Sequence, residues 1–261
     1  MMKDFLDVTI LAVLQGVAEF LPISSSGHLV VFQHLLDVPE ALRLRLEIFL
    51  HAGTLVSILA FYAVRLRALC RGLVRRERAA WRYAATLFVS ALPAVAVYFT
   101  FKDAIEGLLG NVRMVGALLM FTGAVLAGTR YLPRGARDVC FLRALFMGVG
   151  QAIALLPGVS RSGMTLAAAR GGRVDPERAA EFSFLMSAPL ILGGTLLELV
   201  RSAGVVQAES LHWSVLAWGF ALAAVVGYAS LAVLVKVLKG RWFWLFGPYC
   251  VAVGLAVLCF C

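Results

Sequence analysis

Charged residues are scarce in this chain of 261 residues, since 15% are Asp, Glu, Lys or Arg and 61% are hydrophobic. Soluble domains carry about a quarter charged residues, so this composition excludes an ordinary soluble fold. No segment alternates apolar and polar residues over about ten positions, which disfavours a membrane β-barrel. The five cysteines have neither paired nor metal-ligand spacing, and we interpret them as structural or incidental.

In place of charged residues, the sequence contains long apolar runs. A helix rises about 1.5 Å per residue, so about 17–25 apolar residues cross the hydrocarbon core of a bilayer. Full spans are predicted at about 48–64, 84–101, 114–129, 182–200, 213–235 and 243–261. The pattern predicts an all-α integral membrane protein with six full spans.

The net charge of +9 comes from arginines and lysines that cluster between the spans. Three basic segments, at 65–82, 130–143 and 236–241, are predicted to lie in the cytoplasm by the positive-inside rule. The segments at 102–113 and 201–213 are closer to neutral and are predicted outside. This distribution favours membrane topology over nucleic-acid binding. Asp4 and Asp7 interrupt the signal-peptide pattern of the N-terminus, so we expect that segment to be retained.

Two further segments, at about 5–36 and 141–170, must enter and leave the membrane on the same side if the basic segments are cytoplasmic. Each has about 30 residues with a break of Pro, Gly and Ser in its middle. Polar backbone at membrane depth is tolerated only around a buried or watery site. We therefore predict two re-entrant helix–loop–helix segments.

The two segments also resemble each other, because 15–27 aligns without a gap on 151–163. Three spans follow each one, and an odd number inverts the second copy. The prediction is a single membrane domain over 1–261, an inverted-topology repeat with halves 1–130 and 131–261 and a site where the two breaks meet. Coincidence between two segments rich in small residues is the alternative.

The first break contains a carboxylate, three serines and a histidine. Gln15 and Glu19 share one helix face, Pro22 is predicted to end that helix, and His28 is predicted to open the next. Between them lie Ser24, Ser25, Ser26 and Gly27. Glu19 is a hard oxygen ligand for Mg²⁺ or Ca²⁺, and a serine within reach of His28 is a candidate nucleophile.

In the second break, Pro157 and Gly158 are predicted to end a helix. The next helix is predicted to open with four residues and to carry Thr165 one turn in: Ser160, Arg161, Ser162 and Gly163. Arg161 offers a planar fork for phosphate oxygens, and backbone N–H groups at a helix start bind anions. Each feature alone has a structural explanation, such as a helix cap or a Glu19–Arg161 ion pair. Their joint placement favours a site for phosphate chemistry.

These motifs resemble those of the undecaprenyl-pyrophosphate phosphatase family. The segment 15–28 is similar to the family's (E/Q)-x-x-x-E…P-x-S-S-x-G-H motif, and 157–165 is similar to its P-G-x-S-R-S-x-x-T motif. The stretch 181–189 also resembles the family's sequence after the second motif. The resemblance covers essentially the whole chain.

The resemblance implies removal of one phosphate from undecaprenyl pyrophosphate, which recycles the lipid carrier for peptidoglycan and envelope glycan synthesis. It also implies bacitracin resistance on overproduction, a divalent cation (Mg²⁺ or Ca²⁺), and a multi-pass protein of the bacterial inner membrane with its site towards the periplasm. The implied partners are the lipid substrate and membrane lipid, without nucleic acid.

The family's site residues carry over by motif position. Glu19 matches the metal-binding glutamate, Ser25 the proposed nucleophile, His28 its proposed base and Arg161 the arginine that clamps the pyrophosphate. Substrate-binding positions surround them at Ser24, Ser26, Gly27, Ser160, Ser162 and Thr165.

Two positions depart from the expected pattern. Gln15 stands where many members of the family carry Glu, so metal affinity or preference is expected to be weaker, although the motif admits Gln. His51 stands where a glutamine is expected, and the sequence assigns it no role.

Several alternatives stay open from sequence alone. His28 could activate water directly while Ser25 only positions it. A transporter or flippase for the lipid phosphate would also suit opposed re-entrant loops, and it would move substrate without hydrolysis. A structural scaffold would tolerate loss of Arg161. Homodimer contacts through Gly116, Gly123, Gly193 and Gly194 are a further hypothesis, with packing inside one chain as its alternative.

Overall fold

The architecture comes from a computed structural model that describes residues 2–108, 111–202 and 211–260. Within these ranges the chain forms eleven α helices and two short 3₁₀ helices. In chain order the helices are α1 (Met2–Ala18), α2 (Ser25–Leu35), α3 (Glu40–Phe61), α4 (Ala63–Val74), α5 (Arg78–Leu108), α6 (Val112–Gly128), α7 (Phe141–Ile153), α8 (Arg161–Gly171), α9 (Pro176–Ser202), α10 (Trp213–Lys239) and α11 (Phe246–Phe260), with 3₁₀ helices at Thr129–Tyr131 and Phe243–Leu245.

Six helices in the described part of the chain are long and apolar enough to cross a membrane: α3, α5, α6, α9, α10 and α11. They correspond one to one to the six predicted spans, which are confirmed. Many of their large apolar side chains are exposed, Phe88 and Val200 among them, as expected of helices that face lipid. The chain is a multi-pass membrane protein.

The predicted boundaries were wrong around the first basic segment. The span predicted at 48–64 begins at Glu40 and ends at Phe61, and α4 follows after Tyr62. Most of the arginines predicted in a loop lie on α4 and the start of α5, because arginine is a good helix former. The outer segment predicted at 102–113 begins as the last turns of α5. Residues 109–110 and 203–210 of the two predicted outer segments lie outside the described residues.

Both predicted broken segments are helix–break–helix pairs, α1–α2 and α7–α8. The helices end four residues before the prolines that were predicted to end them, since α1 stops at Ala18 and α7 at Ile153. The second helix of the first pair begins at Ser25, three residues before His28. Each break is therefore longer than predicted, and Glu19 lies within the first one.

The two halves pack against each other along most of their length. Helix α3 packs on α10, α6 on α11, α1 on α10 and α5 on α7. Exchanging the halves turns the α1–α10 contact into the α7–α5 contact. The inverted orientation of the halves in a membrane, and their boundary, stay predictions.

Glycines allow the closest of these approaches. A Cβ at Gly123 on α6 would lie 2.7 Å from the carbonyl oxygen of Gly247 on α11, and one at Gly116 would lie 3.1 Å from that of Gly254. These two glycines therefore serve packing within the chain, which was the alternative to a dimer contact. A Cβ at Gly193 or Gly194 would meet no described atom within 4 Å.

Candidate active site

The two breaks begin their second helices in the same way. Ser24 is the N-cap of α2 and accepts a hydrogen bond of 3.3 Å from the amide of Gly27. Ser160 is the N-cap of α8 and accepts one of 3.1 Å from the amide of Gly163. Serine is a preferred N-cap because its hydroxyl satisfies an amide that has no partner inside the helix. Ser25 and Arg161 thus hold equivalent positions, each the first residue of its helix.

The breaks contact each other directly. A Cβ at Gly27 on α2 would lie 3.1 Å from the Cα of Gly158 in the second break, so a larger residue at 27 would push the two segments slightly apart. The hydroxyl of Ser162 donates a hydrogen bond of 3.2 Å to the carbonyl of Leu21. Helix starts from both halves therefore lie side by side, and their N–H dipoles favour an anion between them.

Glu19 is the centre of the site. Its carboxylate is 6% exposed and accepts a hydrogen bond at Oε1 from the guanidinium of Arg161 in the other break. At Oε2 it accepts a bond of 2.6 Å from the hydroxyl of Ser25 and one of 3.2 Å from the amide of Gln15. Buried charges are stable only when paired and hydrogen-bonded, and these contacts meet that requirement.

Gln15 is fully buried on α1, and only part of its amide is engaged. Nε2 donates to Glu19 and, over 3.5 Å, to the hydroxyl of Thr54 on α3. Oε1 has no hydrogen-bond partner among the described residues. A buried oxygen without a partner beside a carboxylate is an available ligand for a cation.

His28 is 3% exposed, and both of its ring nitrogens are engaged away from Ser25. Nδ1 lies 2.9 Å from the carbonyl oxygen of Ser24, and Nε2 lies 3.0 Å from the hydroxyl of Tyr249. The sequence prediction placed His28 at the Ser25 hydroxyl, whereas the structure places Glu19 there. The difference arises because the break brings Glu19 back towards the start of α2.

The remaining predicted substrate positions line the two helix starts. Ser26 lies 3.4 Å from Ser24, oxygen to oxygen, and Ser162 lies 3.3 Å from Ser160. Thr165 is buried and its hydroxyl lies 2.6 Å from that of Ser183 on α9, so this hydrogen bond links α8 to α9. Ser25, Ser26 and Arg161 are only partly buried, so an incoming ligand can reach these polar groups.

His51 joins the site from α3. Its Nε2 lies 3.8 Å from Oε2 of Glu19, and its Nδ1 donates a 2.9 Å hydrogen bond to the carbonyl of Glu47. Sequence analysis gave His51 no role and missed Thr54 and Tyr249. The spacing of 47, 51 and 54 on one helix face was the available signal for α3. No nearby sequence feature predicts a role for Tyr249, because its hydrogen-bond partner His28 is 221 residues away in the sequence.

This arrangement suits transfer of a phosphoryl group. It combines the Ser25 hydroxyl, which is hydrogen-bonded to the Glu19 carboxylate, with the guanidinium of Arg161 and two helix N-termini. These groups lie in a largely buried site. A hydroxyl next to a proton acceptor is an activated nucleophile, and a guanidinium with backbone amides stabilises charge on phosphoryl oxygens. The structure brings the predicted residues Glu19, Ser25 and Arg161 together.

Comparison with known proteins agrees with this chemistry. Residues 8–256 match the family model described as bacitracin resistance protein BacA. The chain is 35% identical over 273 residues to the undecaprenyl-diphosphatase of Desulfatibacillum aliphaticivorans, covering 97% of this chain and 98% of that protein. It is 38% identical over 262 residues to that of Rhodopirellula baltica, covering 98% of each. Over 206 residues it is 40% identical to that of Salinibacter ruber, covering 74% of this chain and 76% of the relative.

Proposed function

Because this chain belongs to the bacitracin resistance protein BacA family, we propose that it removes the terminal phosphate of undecaprenyl pyrophosphate. The observation that carries the proposal is the meeting of Glu19 and Ser25 from one break with Arg161 from the other. A pyrophosphate headgroup needs a guanidinium and hydrogen-bond donors, which Arg161 and the two helix starts offer, and an isoprenyl chain can stay in the surrounding lipid. The product is undecaprenyl phosphate.

Ser25 is the proposed nucleophile. Its oxygen attacks the terminal phosphorus, the bond from that phosphorus to the bridging oxygen breaks, and the lipid monophosphate leaves. The proton of Ser25 passes to Oε2 of Glu19, which already accepts its hydrogen bond. Water then hydrolyses the phosphoserine and releases inorganic phosphate.

Arg161 couples substrate binding to this step. In the structure its guanidinium donates a hydrogen bond to the carboxylate of Glu19. Pyrophosphate oxygens compete for the same donors, because arginine binds phosphate as a bidentate fork. When Arg161 turns to the phosphate, Glu19 loses a positive neighbour and becomes a stronger proton acceptor. The helix starts at Ser25 and Arg161 add backbone amides for the developing charge.

A divalent cation fits the residues present, although they form no complete metal cage. The described residues contain no group of three or more His, Cys, Asp and Glu side chains that could hold a metal ion. Mg²⁺ is usually held by one or two carboxylates together with substrate phosphates and water. Glu19 and the free Oε1 of Gln15 would be the protein ligands, and the ion would neutralise charge on the phosphoryl oxygens.

The test is phosphate release from undecaprenyl or farnesyl pyrophosphate by purified protein in detergent, with Mg²⁺, with Ca²⁺ and with EDTA. The proposal predicts inorganic phosphate and lipid monophosphate in equal amounts, with release suppressed by EDTA. Folded protein that releases no phosphate with any divalent cation would contradict it. Movement of the intact pyrophosphate lipid across liposomes by such protein would then identify a transporter.

In the cell, the proposal places this chain in the bacterial inner membrane, with the site towards the periplasm and its product returned to envelope glycan synthesis. Overproduction is then expected to raise bacitracin tolerance. Cys70 and Cys140, both exposed in basic segments, give a topology test. In variants that keep one of them alone, a membrane-impermeant maleimide should label the thiol only after the cells are opened. Labelling in intact spheroplasts would contradict this orientation.

A further inference from the structure

His28 has a defined tautomer in this structure. Its Nδ1 lies 2.9 Å from the carbonyl oxygen of Ser24, which also accepts the 3.2 Å backbone hydrogen bond from the amide of His28. A carbonyl oxygen only accepts hydrogen bonds, so Nδ1 carries the proton. In the neutral ring, Nε2 then presents a lone pair, and its partner must donate.

That partner is Tyr249 on α11. Its hydroxyl lies 3.0 Å from Nε2, and the two rings are almost parallel, at 4° with their centroids 5.8 Å apart. The phenol therefore donates to Nε2, with its ring nearly parallel to the imidazole. His28 is almost completely buried, at 3% exposed, whereas its partner Tyr249 is 44% exposed.

The start of α11 packs closely on α6 and contacts the first break, which fixes the backbone position of Tyr249. Gly247 packs against α6 so closely that a Cβ on it would lie 2.6 Å from the amide nitrogen of Ala127. The buried thiol of Cys250 lies 3.6 Å from the carbonyl oxygen of Pro22 in the break. Tyr249 lies between these two contacts in the sequence, so its hydroxyl reaches His28 from a fixed base.

The contacts from Tyr249 through His28 end at the carbonyl of Ser24 and hold its backbone conformation. Ser24 has φ of 71°, a left-handed conformation that costs a residue other than glycine about 1 kcal/mol or more. It directly precedes Ser25, so its backbone sets the direction in which the Ser25 hydroxyl meets Glu19. The hydrogen bond from Nδ1 of His28 holds the Ser24 carbonyl in this conformation.

We propose that Tyr249 is a positioning residue for the phosphatase reaction, which acts through His28 and the Ser24 carbonyl to hold the Ser25 hydroxyl at Glu19. The inference rests on the proposed function for its effect on turnover. It gives His28 the role of orienting the nucleophile, and it extends the site to α11. Loss of the phenol hydroxyl frees Nε2, and the imidazole can then change its tautomer or rotate away from Ser24.

The kinetic test compares Tyr249→Phe with Tyr228→Phe. Phenylalanine keeps the aromatic ring and removes only the hydroxyl. Tyr228 is a matched control, since it is 48% exposed on α10 and its ring packs on Phe61. We expect Tyr249→Phe to lower kcat about tenfold, the effect of one hydrogen bond, with KM nearly unchanged because Arg161 is untouched. Tyr228→Phe should match the unsubstituted protein.

A double-mutant cycle separates this role from general packing. In a His28→Ala background, Tyr249→Phe should lower kcat no further, because the group through which it acts is gone. Equal losses in both backgrounds, or an unchanged kcat for Tyr249→Phe alone, would overturn the inference while leaving the proposed function intact.

¹⁵N NMR of histidine-labelled protein tests the contact without turnover. The His28 signals, assigned by their loss in His28→Ala, should show a protonated Nδ1 and an unprotonated Nε2. Tyr249→Phe should shift them and Tyr228→Phe should not. An unshifted His28 spectrum in Tyr249→Phe would overturn the inference. No hydrolysis by the unsubstituted protein would overturn the proposed function and the effect on turnover, while the spectrum would still decide the hydrogen bond.

Discussion

The hydroxyl of Ser25 donates a hydrogen bond of 2.6 Å to Oε2 of Glu19, which lies six residues earlier and is almost fully buried. The contact exists because the chain turns back between α1 and α2. This hydrogen bond makes Glu19 the proton acceptor next to the candidate nucleophile Ser25, whereas the sequence motif had suggested His28 for that role. The carboxylate is also bonded to Arg161, so one side chain links the nucleophile to the group that binds phosphate.

Replacement of Glu19 by glutamine tests its role as the proton acceptor. Glutamine keeps the size of the side chain and can still accept a hydrogen bond from Ser25, but it cannot take the proton. We expect kcat to fall about 100-fold or more, the usual contribution of general acid–base catalysis. Glu177→Gln, on the exposed start of α9, is the matched control. Steady-state phosphate release measures both, and a Glu19→Gln enzyme within a few-fold of the unsubstituted protein would exclude this role.

Arg161→Lys separates the charge of Arg161 from its fork geometry. Lysine retains the positive charge beside Glu19 but offers no planar pair of donors. We expect KM for the pyrophosphate lipid to rise about tenfold, since a hydrogen bond to a charged group contributes about 1.5–3 kcal/mol. Arg67→Ala, at an exposed arginine on α4, should leave KM unchanged. Equal KM values for Arg161→Lys and the unsubstituted protein would show that Arg161 does not clamp the phosphates.

Gln15→Glu tests the predicted metal position. A second carboxylate beside Glu19 should tighten Mg²⁺ binding about tenfold, because the charge of the ligands sets affinity at oxygen sites. The readout is the rise in thermal midpoint on adding Mg²⁺ without substrate, which does not depend on turnover. Gln151→Glu adds the same charge on α7, at the position that aligns with Gln15, and should show no Mg²⁺-dependent rise. A midpoint of Gln15→Glu that does not respond to Mg²⁺ would place the metal elsewhere.

Gly123→Ala tests the close packing of α6 on α11. The added methyl group would meet the Gly247 carbonyl at 2.7 Å, so the helices must move apart. We expect a loss of about 1–3 kcal/mol in stability, as for other overpacked sites. Gly193→Ala, where the methyl group meets no described atom within 4 Å, should cause no loss. Thermal unfolding in detergent compares them. Equal midpoints would mean that α6 and α11 are less tightly packed than described.

The six spans and the two broken segments could be predicted because hydrophobic length and the Pro, Gly and Ser breaks are local properties of the sequence. The meeting of Glu19 and Arg161 followed from the internal similarity of 15–27 and 151–163. The helix ends could not be placed, since α1 stops at Ala18 although Pro22 is the nearest strong breaker. Long-range partners had no sequence signal, as with Tyr249 at His28 and Ser183 at Thr165.

Turnover by Ser25→Ala, beside Ser214→Ala, tests the central claim most directly. Ser214 is exposed on α10, outside the two breaks. With farnesyl pyrophosphate and Mg²⁺, the account predicts that Ser25→Ala releases phosphate at least about 100-fold more slowly, with its fold retained, while Ser214→Ala stays within a few-fold of the unsubstituted protein. A Ser25→Ala protein with near-normal kcat would contradict the account, because another group or water would then attack the phosphorus.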